Sequence, residues 1–166
     1  MKMSVKRILN FKDEEDKKIL TSISEPVVEV NDEIKEIIQN MKDTLNNTKT
    51  GVGLSAVQIG VLKQICIVKY NGKIYTLINP TITKTRGEVI FREGCLSVPG
   101  VYTEVKRFQK VWVDYIDEEG KTREEAQGGL FSVVVQHEMD HFKGECAVEN
   151  AALANAEADA SNKGLD

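Results

Sequence analysis

Only two histidines occur in the chain, and both lie in one pentapeptide, His137-Glu138-Met139-Asp140-His141. On an α-helix, side chains four apart stand one turn above each other, so both imidazoles can reach a single divalent metal. Glu138 then projects about a third of a turn away. A carboxylate there stands beside the metal without binding it, in the position of a general base: the metal lowers the pKa of water and the carboxylate takes the proton. The same pentapeptide also arises by chance on solvated helices. Here the apolar residues before it, Val133-Val134-Val135 among them, argue for a buried helix. Buried histidines and acids need partners, and a metal supplies them.

Two histidines do not complete a catalytic site, which takes a third protein ligand and leaves one position for water. No histidine follows His141, although Glu145, Glu149 and Glu157 remain as downstream carboxylates. A glutamate ligand would make the site that of a general zinc endopeptidase. Upstream, Glu93-Gly94-Cys95-Leu96-Ser97-Val98-Pro99-Gly100 offers a thiolate in a turn-rich segment after a strand. A single cysteine is usually a small buried hydrophobe. Cys66, inside the apolar run Ile65-Cys66-Ile67-Val68, fits that description, and Cys146 is read the same way. Cys95, between a glycine and a Leu-Ser-Val-Pro turn, does not.

A third segment, Gly51-Val52-Gly53-Leu54-Ser55-Ala56-Val57-Gln58-Ile59-Gly60, is rich in glycine but lacks the Lys-Ser/Thr ending of a phosphate loop and the dinucleotide spacing. Glycines also let backbone approach a ligand closely, and the Gln58 amide can donate to an oxyanion. By itself the stretch reads equally well as a plain turn.

Together the three segments resemble peptide deformylase, the enzyme that removes the formyl group from nascent N-formylmethionyl chains. That family carries Gly-x-Gly-Leu-Ala-Ala-x-Gln, Glu-Gly-Cys-Leu-Ser and Gln-His-Glu-x-Asp-His in the same order, matched here at 51–60, 93–99 and 136–141. The resemblance covers most of residues 30–146. It implies that Cys95, His137 and His141 hold one divalent metal, natively Fe(II), with zinc, nickel or cobalt able to substitute. It implies Glu138 as general base and acid. Gln58 and the backbone N–H of Leu96 would hold the oxyanion, a type of contact worth about 3 kcal/mol. Backbone groups of Val52 and Gly53 would pair with an extended peptide. Val52, Phe91, Leu130, Val133 and Val134 would line the methionine pocket, and Glu93 with Arg107 would brace the site. Ser55 and Val57 replace the usual alanine and proline, Phe142 replaces a leucine, and Tyr102 stands where some members carry a substrate-contacting arginine. After Gly144 the family's apolar Leu-Phe-like pair is replaced, beginning with Glu145-Cys146.

These residues need elements to position them. A helix is expected from Asn31 or Asp32 to about Asn46, with an apolar stripe of Ile34, Ile37, Ile38, Met41 and Leu45. Strands are expected at 64–70 and 73–78, joined by an Asn71-Gly72 turn whose residues tolerate positive φ. Others follow at 81–84, 88–92, 110–116 and 121–126, and 26–30 reads as a short strand or an extended arm. For 129–143 propensity and motif conflict, since three consecutive valines favour a strand. Only a helix puts both histidines on one face, with Gly144 as its stop. The expectation is an α+β domain over 1–150, antiparallel strands around a central helix bearing the motif, with 151–166 a polar acidic tail, helical or disordered.

The chain has 166 residues, 41% hydrophobic and 29% charged, ordinary values for one domain with a real core. A net charge of −4 argues against nucleic-acid binding, and no apolar run approaches the roughly 20 residues of a membrane span. Three unevenly spaced cysteines behind an N-terminus that does not read as a secretory signal imply reduced thiols and a cytoplasmic protein. Some bacterial members dock on the ribosome through a basic C-terminal helix; the acidic tail here argues against that route. A monomer acting on N-formylmethionyl peptides is expected.

Overall fold

The computed structural model describes residues 4–163. Two helices precede the sheet: α1 (Glu14–Leu20), whose Asp13 cap accepts from the Asp16 N–H, and α2 (Asp32–Asn46), capped in the same way by Asn31 on Ile34. Five strands then form one antiparallel sheet in sequence order: β1 (Gly53–Ser55), β2 (Ile65–Tyr70), β3 (Lys73–Cys95), β4 (Val98–Ile116) and β5 (Thr122–Gly128). A short 3-10 turn, Ala56–Ile59, follows β1. Helix α3 (Gly129–Phe142) comes next, and α4 (Ala147–Lys163) ends the described chain. This is the expected α+β architecture.

The β2–β3 hairpin turns at Asn71 and Gly72, with φ of 51° and 75°, as the dipeptide implies. The segments expected at 73–78, 81–84 and 88–92 are instead one strand of 23 residues. Register shifts at Ile78/Thr81 and Ile82/Lys84, together with a largely solvated middle, break the period-two signal that would have joined them. Its partner β4 starts at Val98, well before the expected 110, for the same reason. Residues 26–30 form no strand. Helix α1 and the three-residue β1 were not anticipated, both being too short to show a period.

Three apolar clusters hold the elements. Ile34, Ile38, Met41 and Leu45 of α2 pack on Leu54, Ile65 and Ile67 of β1 and β2. On the other side, Phe131, Val134, Val135 and Phe142 of α3 meet Cys66, Val68, Leu77, Val111 and Val113 of the sheet. Leu9, Phe11, Leu20, Val98, Cys146 and Val148 close the end where the β3–β4 turn meets α4. Ten of the fourteen residues of α3 are buried. The valines therefore pack as helix because tertiary burial outweighs a propensity difference of tenths of a kcal/mol, about 0.5 per residue.

Candidate active site

Helix α3 carries His137, Glu138 and His141, all buried. Gln136 locks that helix to β4: its amide oxygen accepts from the Phe108 N–H at 2.9 Å, and its nitrogen donates to the Phe108 carbonyl at 2.9 Å. Cys95 is the last residue of β3 and pairs with Val98 across the two-residue turn Leu96-Ser97. A tight hairpin end thus delivers the thiol to the helix.

Nitrogen and sulfur atoms converge here. The ligand atoms of Cys95, His137, His141 and Cys146 all lie within 4.8 Å of one another. Cys95 Sγ is 3.5 Å from His141 Nε2. His141 is fully buried, and its Nδ1 has no hydrogen-bond partner. Neither of its ring nitrogens therefore meets a conventional oxygen or nitrogen partner. Burial holds this imidazole neutral, lowering its pKa to about 3, so a lone pair is available. An interior imidazole in that state, facing a thiol and a second imidazole, fits a metal ion. Glu145, Glu149 and Glu157 are not in the donor group. Cys66 is buried in the sheet, as expected, whereas Cys146, read from sequence as core, belongs to the group as well as to the core.

Behind the histidines runs a chain of charge. His137 Nδ1 donates to Glu93 Oε1 at 2.9 Å. Arg107 grips both Glu93 oxygens at 2.7 Å and reaches Asp140 Oδ2 at 2.7 Å. Burial penalises the Glu93 carboxylate, but Arg107 and His137 outweigh it and hold its pKa below the usual range. Such a partner fixes the ring and leaves Nε2 facing the donor group. Asp140, which sequence reasoning gave no role of its own, ties the helix to the same guanidinium.

Glu138 is desolvated, and protein groups alone push its carboxyl up to about 7 against the lowering effects of His137 and Ser55. The Ser55 hydroxyl lies 3.1 Å from Glu138 Oε1 and donates at 2.7 Å to the Glu138 carbonyl. Gln58 is held by the Ser55 N–H, which donates to its Oε1 at 2.9 Å; its Nε2 donates to Ser97 Oγ at 3.1 Å and points at Cys95 Sγ, 3.7 Å away. The link from Ser55 to Glu138 was missed in the sequence, where Ser55 stood only as a replacement of the usual alanine; only the fold brings β1 against α3.

A cavity of about 520 Å³ opens over this arrangement. Val52, Gly53, Gln58, Cys95, Leu96, His137 and Glu138 line one part, and Phe91, Leu130, Val133 and Val134 another, with Glu93 also on its wall. Arg107 and His141 lie outside the lining. Gly53 leaves no free space for a side chain, because a Cβ there would sit 2.5 Å from Val134 Cγ1 and 2.6 Å from Glu138 Oε2.

Thiol and imidazole donors that can hold a metal, a desolvated carboxylate and a side-chain amide around one cavity are the parts of a metal-dependent hydrolase. A sequence model of the polypeptide deformylase family matches residues 5–157. Peptide deformylase of Thermodesulfovibrio yellowstonii is 38% identical over 147 residues, 86% of each chain, and that of Thermoanaerobacter pseudethanolicus is 39% identical over 149 residues, 90% of this chain and 91% of the relative. Among solved structures, the Thermotoga maritima peptide deformylase superposes with a TM-score of 0.81 at 29% identity, covering 87% of this chain and 96% of that one. The Synechococcus elongatus peptide deformylase, solved with actinonin, gives 0.79 at 34% identity, covering 87% and 77%. The chain belongs to the polypeptide deformylase family, whose members are metal-dependent hydrolases.

Proposed function

We propose that the chain hydrolyses the N-formyl amide of N-formylmethionyl peptides, giving formate and a free amino terminus. The observation that carries this reading is the single cavity that joins Glu138, Gln58 and the Cys95–His137 donors to an apolar wall of Phe91, Leu130, Val133 and Val134. Cys95, His137 and His141 would hold one divalent ion, iron(II) natively, with zinc, nickel or cobalt able to replace it, since thiolate and imidazole donors accept all four. A divalent ion held there would supply Lewis acidity to the formyl carbonyl and to water. The remaining chemistry belongs to the chain.

A carboxyl that protein groups bring to about 7 is matched to proton transfer near neutrality. Glu138 takes a proton from the attacking water and delivers it to the amine nitrogen as the C–N bond breaks. The Gln58 Nε2–H and the Leu96 N–H donate to the oxygen that gains negative charge. β1 is the edge strand of the sheet, and Val52 and Gly53 line the cavity, so an extended peptide can add alongside as a further strand. The apolar wall takes the methionine side chain. Glu93 and Arg107 keep the His137 ring aimed. Among the described residues no helix is long and apolar enough to cross a membrane. The enzyme would act as a cytoplasmic monomer, and the acidic side chains Glu149 and Glu157 on α4 disfavour docking on ribosomal RNA through that helix.

Formate release from formyl-Met-Ala-Ser tests the assignment, with acetyl-Met-Ala-Ser as comparison. The reading expects turnover of the formyl peptide far above that of the acetyl peptide, whose extra methyl group crowds the carbonyl. Absence of formate with iron, nickel, cobalt and zinc alike would overturn it.

A further inference from the structure

The donor group contains one thiol more than the proposed hydrolysis uses. The backbone turns at Gly144, in the left-handed region at φ 74°, and brings Cys146 back against the end of α3 just before α4 begins. Its Sγ falls within 4.8 Å of the ligand atoms of Cys95, His137 and His141. The side chain is buried and, like His141, does not line the cavity, so it approaches from behind. Metal–sulfur and metal–nitrogen bonds of about 2.3 and 2.0–2.1 Å place the donors of a tetrahedral ion roughly 3.4–3.8 Å apart. The Cys95–His141 pair, at 3.5 Å, already has that separation. His141 presents its Nε2 to the Cys95 thiol at that distance.

We propose that Cys146 is a fourth protein ligand, so that the resting centre is a Cys95-Cys146-His137-His141 set. The proposal rests on the reading that Cys95, His137 and His141 hold the metal. Two thiolates and two neutral imidazoles are a donor set that zinc binds as a closed site. They would cancel the charge of a divalent ion where one thiolate would leave +1, which would weaken it as a Lewis acid and strengthen its retention. Hydrolysis then runs from the arrangement in which Cys146 has let go, which makes this thiol a brake on turnover and a guard against metal loss.

X-ray absorption at the zinc edge of the wild-type protein, loaded with one zinc per chain, counts sulfurs without any substitution. Two sulfurs per zinc are expected. One sulfur would overturn the role of Cys146 and leave the three-ligand reading standing; none, or no stoichiometric zinc, would overturn both. Cobalt(II) loading gives an independent count through the thiolate-to-metal charge-transfer absorption. Cys146→Ala should halve that band, and Cys95→Ser should keep half of it, carried by Cys146. An unchanged band in Cys146→Ala, or a band lost entirely from a folded, cobalt-binding Cys95→Ser protein, would also overturn the proposal.

Discussion

At Gly53 a hydrogen atom separates the peptide backbone from the Val134 methyl and the Glu138 carboxylate. Any side chain would push one of them aside. Because rate depends steeply on where the proton acceptor sits, Gly53→Ala is expected to lower kcat by on the order of a hundredfold while the protein stays folded; steady-state formate release beside a thermal melt reads both. The motif residues were legible because chemistry requires particular types at particular spacings: two histidines four apart, a thiol in a turn, an amide after a glycine pair. Partners that depend on packing were not. Ser55 touches Glu138 across 83 residues of sequence, and Arg107 reaches Asp140 across 33. Cys146 gave no signal because a cysteine after a helix stop looks like any small core residue until the chain folds back.

Among the elements, α3 is tied to β4 by Gln136, which bonds both the N–H and the carbonyl of Phe108. The Phe108 carbonyl accepts from Ser132 Oγ as well, at 2.8 Å, while its N–H donates to the glutamine. Gln136→Ala leaves that donor without its acceptor, and a loss of about 1–3 kcal/mol is expected in urea unfolding at pH 7. Helix α2 and the β2–β3 hairpin were readable from caps, period and the Asn-Gly turn. The long β3–β4 ribbon was not, since bulges interrupt its alternation and much of it is solvated on both faces. Within α3, valine propensity pointed the wrong way, and only the requirement that both histidines share a face identified the helix.

For the molecule as a whole, the N-terminal segment reaches the body through the Leu9 and Phe11 N–H groups, which donate to the Gln58 and Ser97 carbonyls, and it is folded onto α1 by Asp16, which accepts from both Arg7 terminal nitrogens, at 2.6 and 2.8 Å, and from the Asn10 N–H at 2.9 Å. The hydrogen bond from Arg7 and that from Asn10 hold its pKa at about 2, below an ordinary 3.8. A carboxylate depressed in the folded state stabilises above its unfolded pKa and loses that contribution as pH falls through the folded value. The difference in stability between wild type and Asp16→Asn should therefore be full above about pH 4 and shrink between there and pH 2, which urea midpoints at several pH values would show. A difference that did not change across that window would mean the contact acts by shape alone.

The central claim, that Glu138 moves the proton at a centre held by α3 and the β3–β4 turn, is tested most directly by Glu138→Gln. The measurement is formate release from formyl-Met-Ala-Ser beside metal content per chain, for this variant and the wild type loaded with the same ion. The account predicts unchanged metal content and a kcat lower by roughly 10²–10⁴-fold, the usual worth of general acid–base catalysis. A variant that keeps its metal and turns over at the wild-type rate would contradict it.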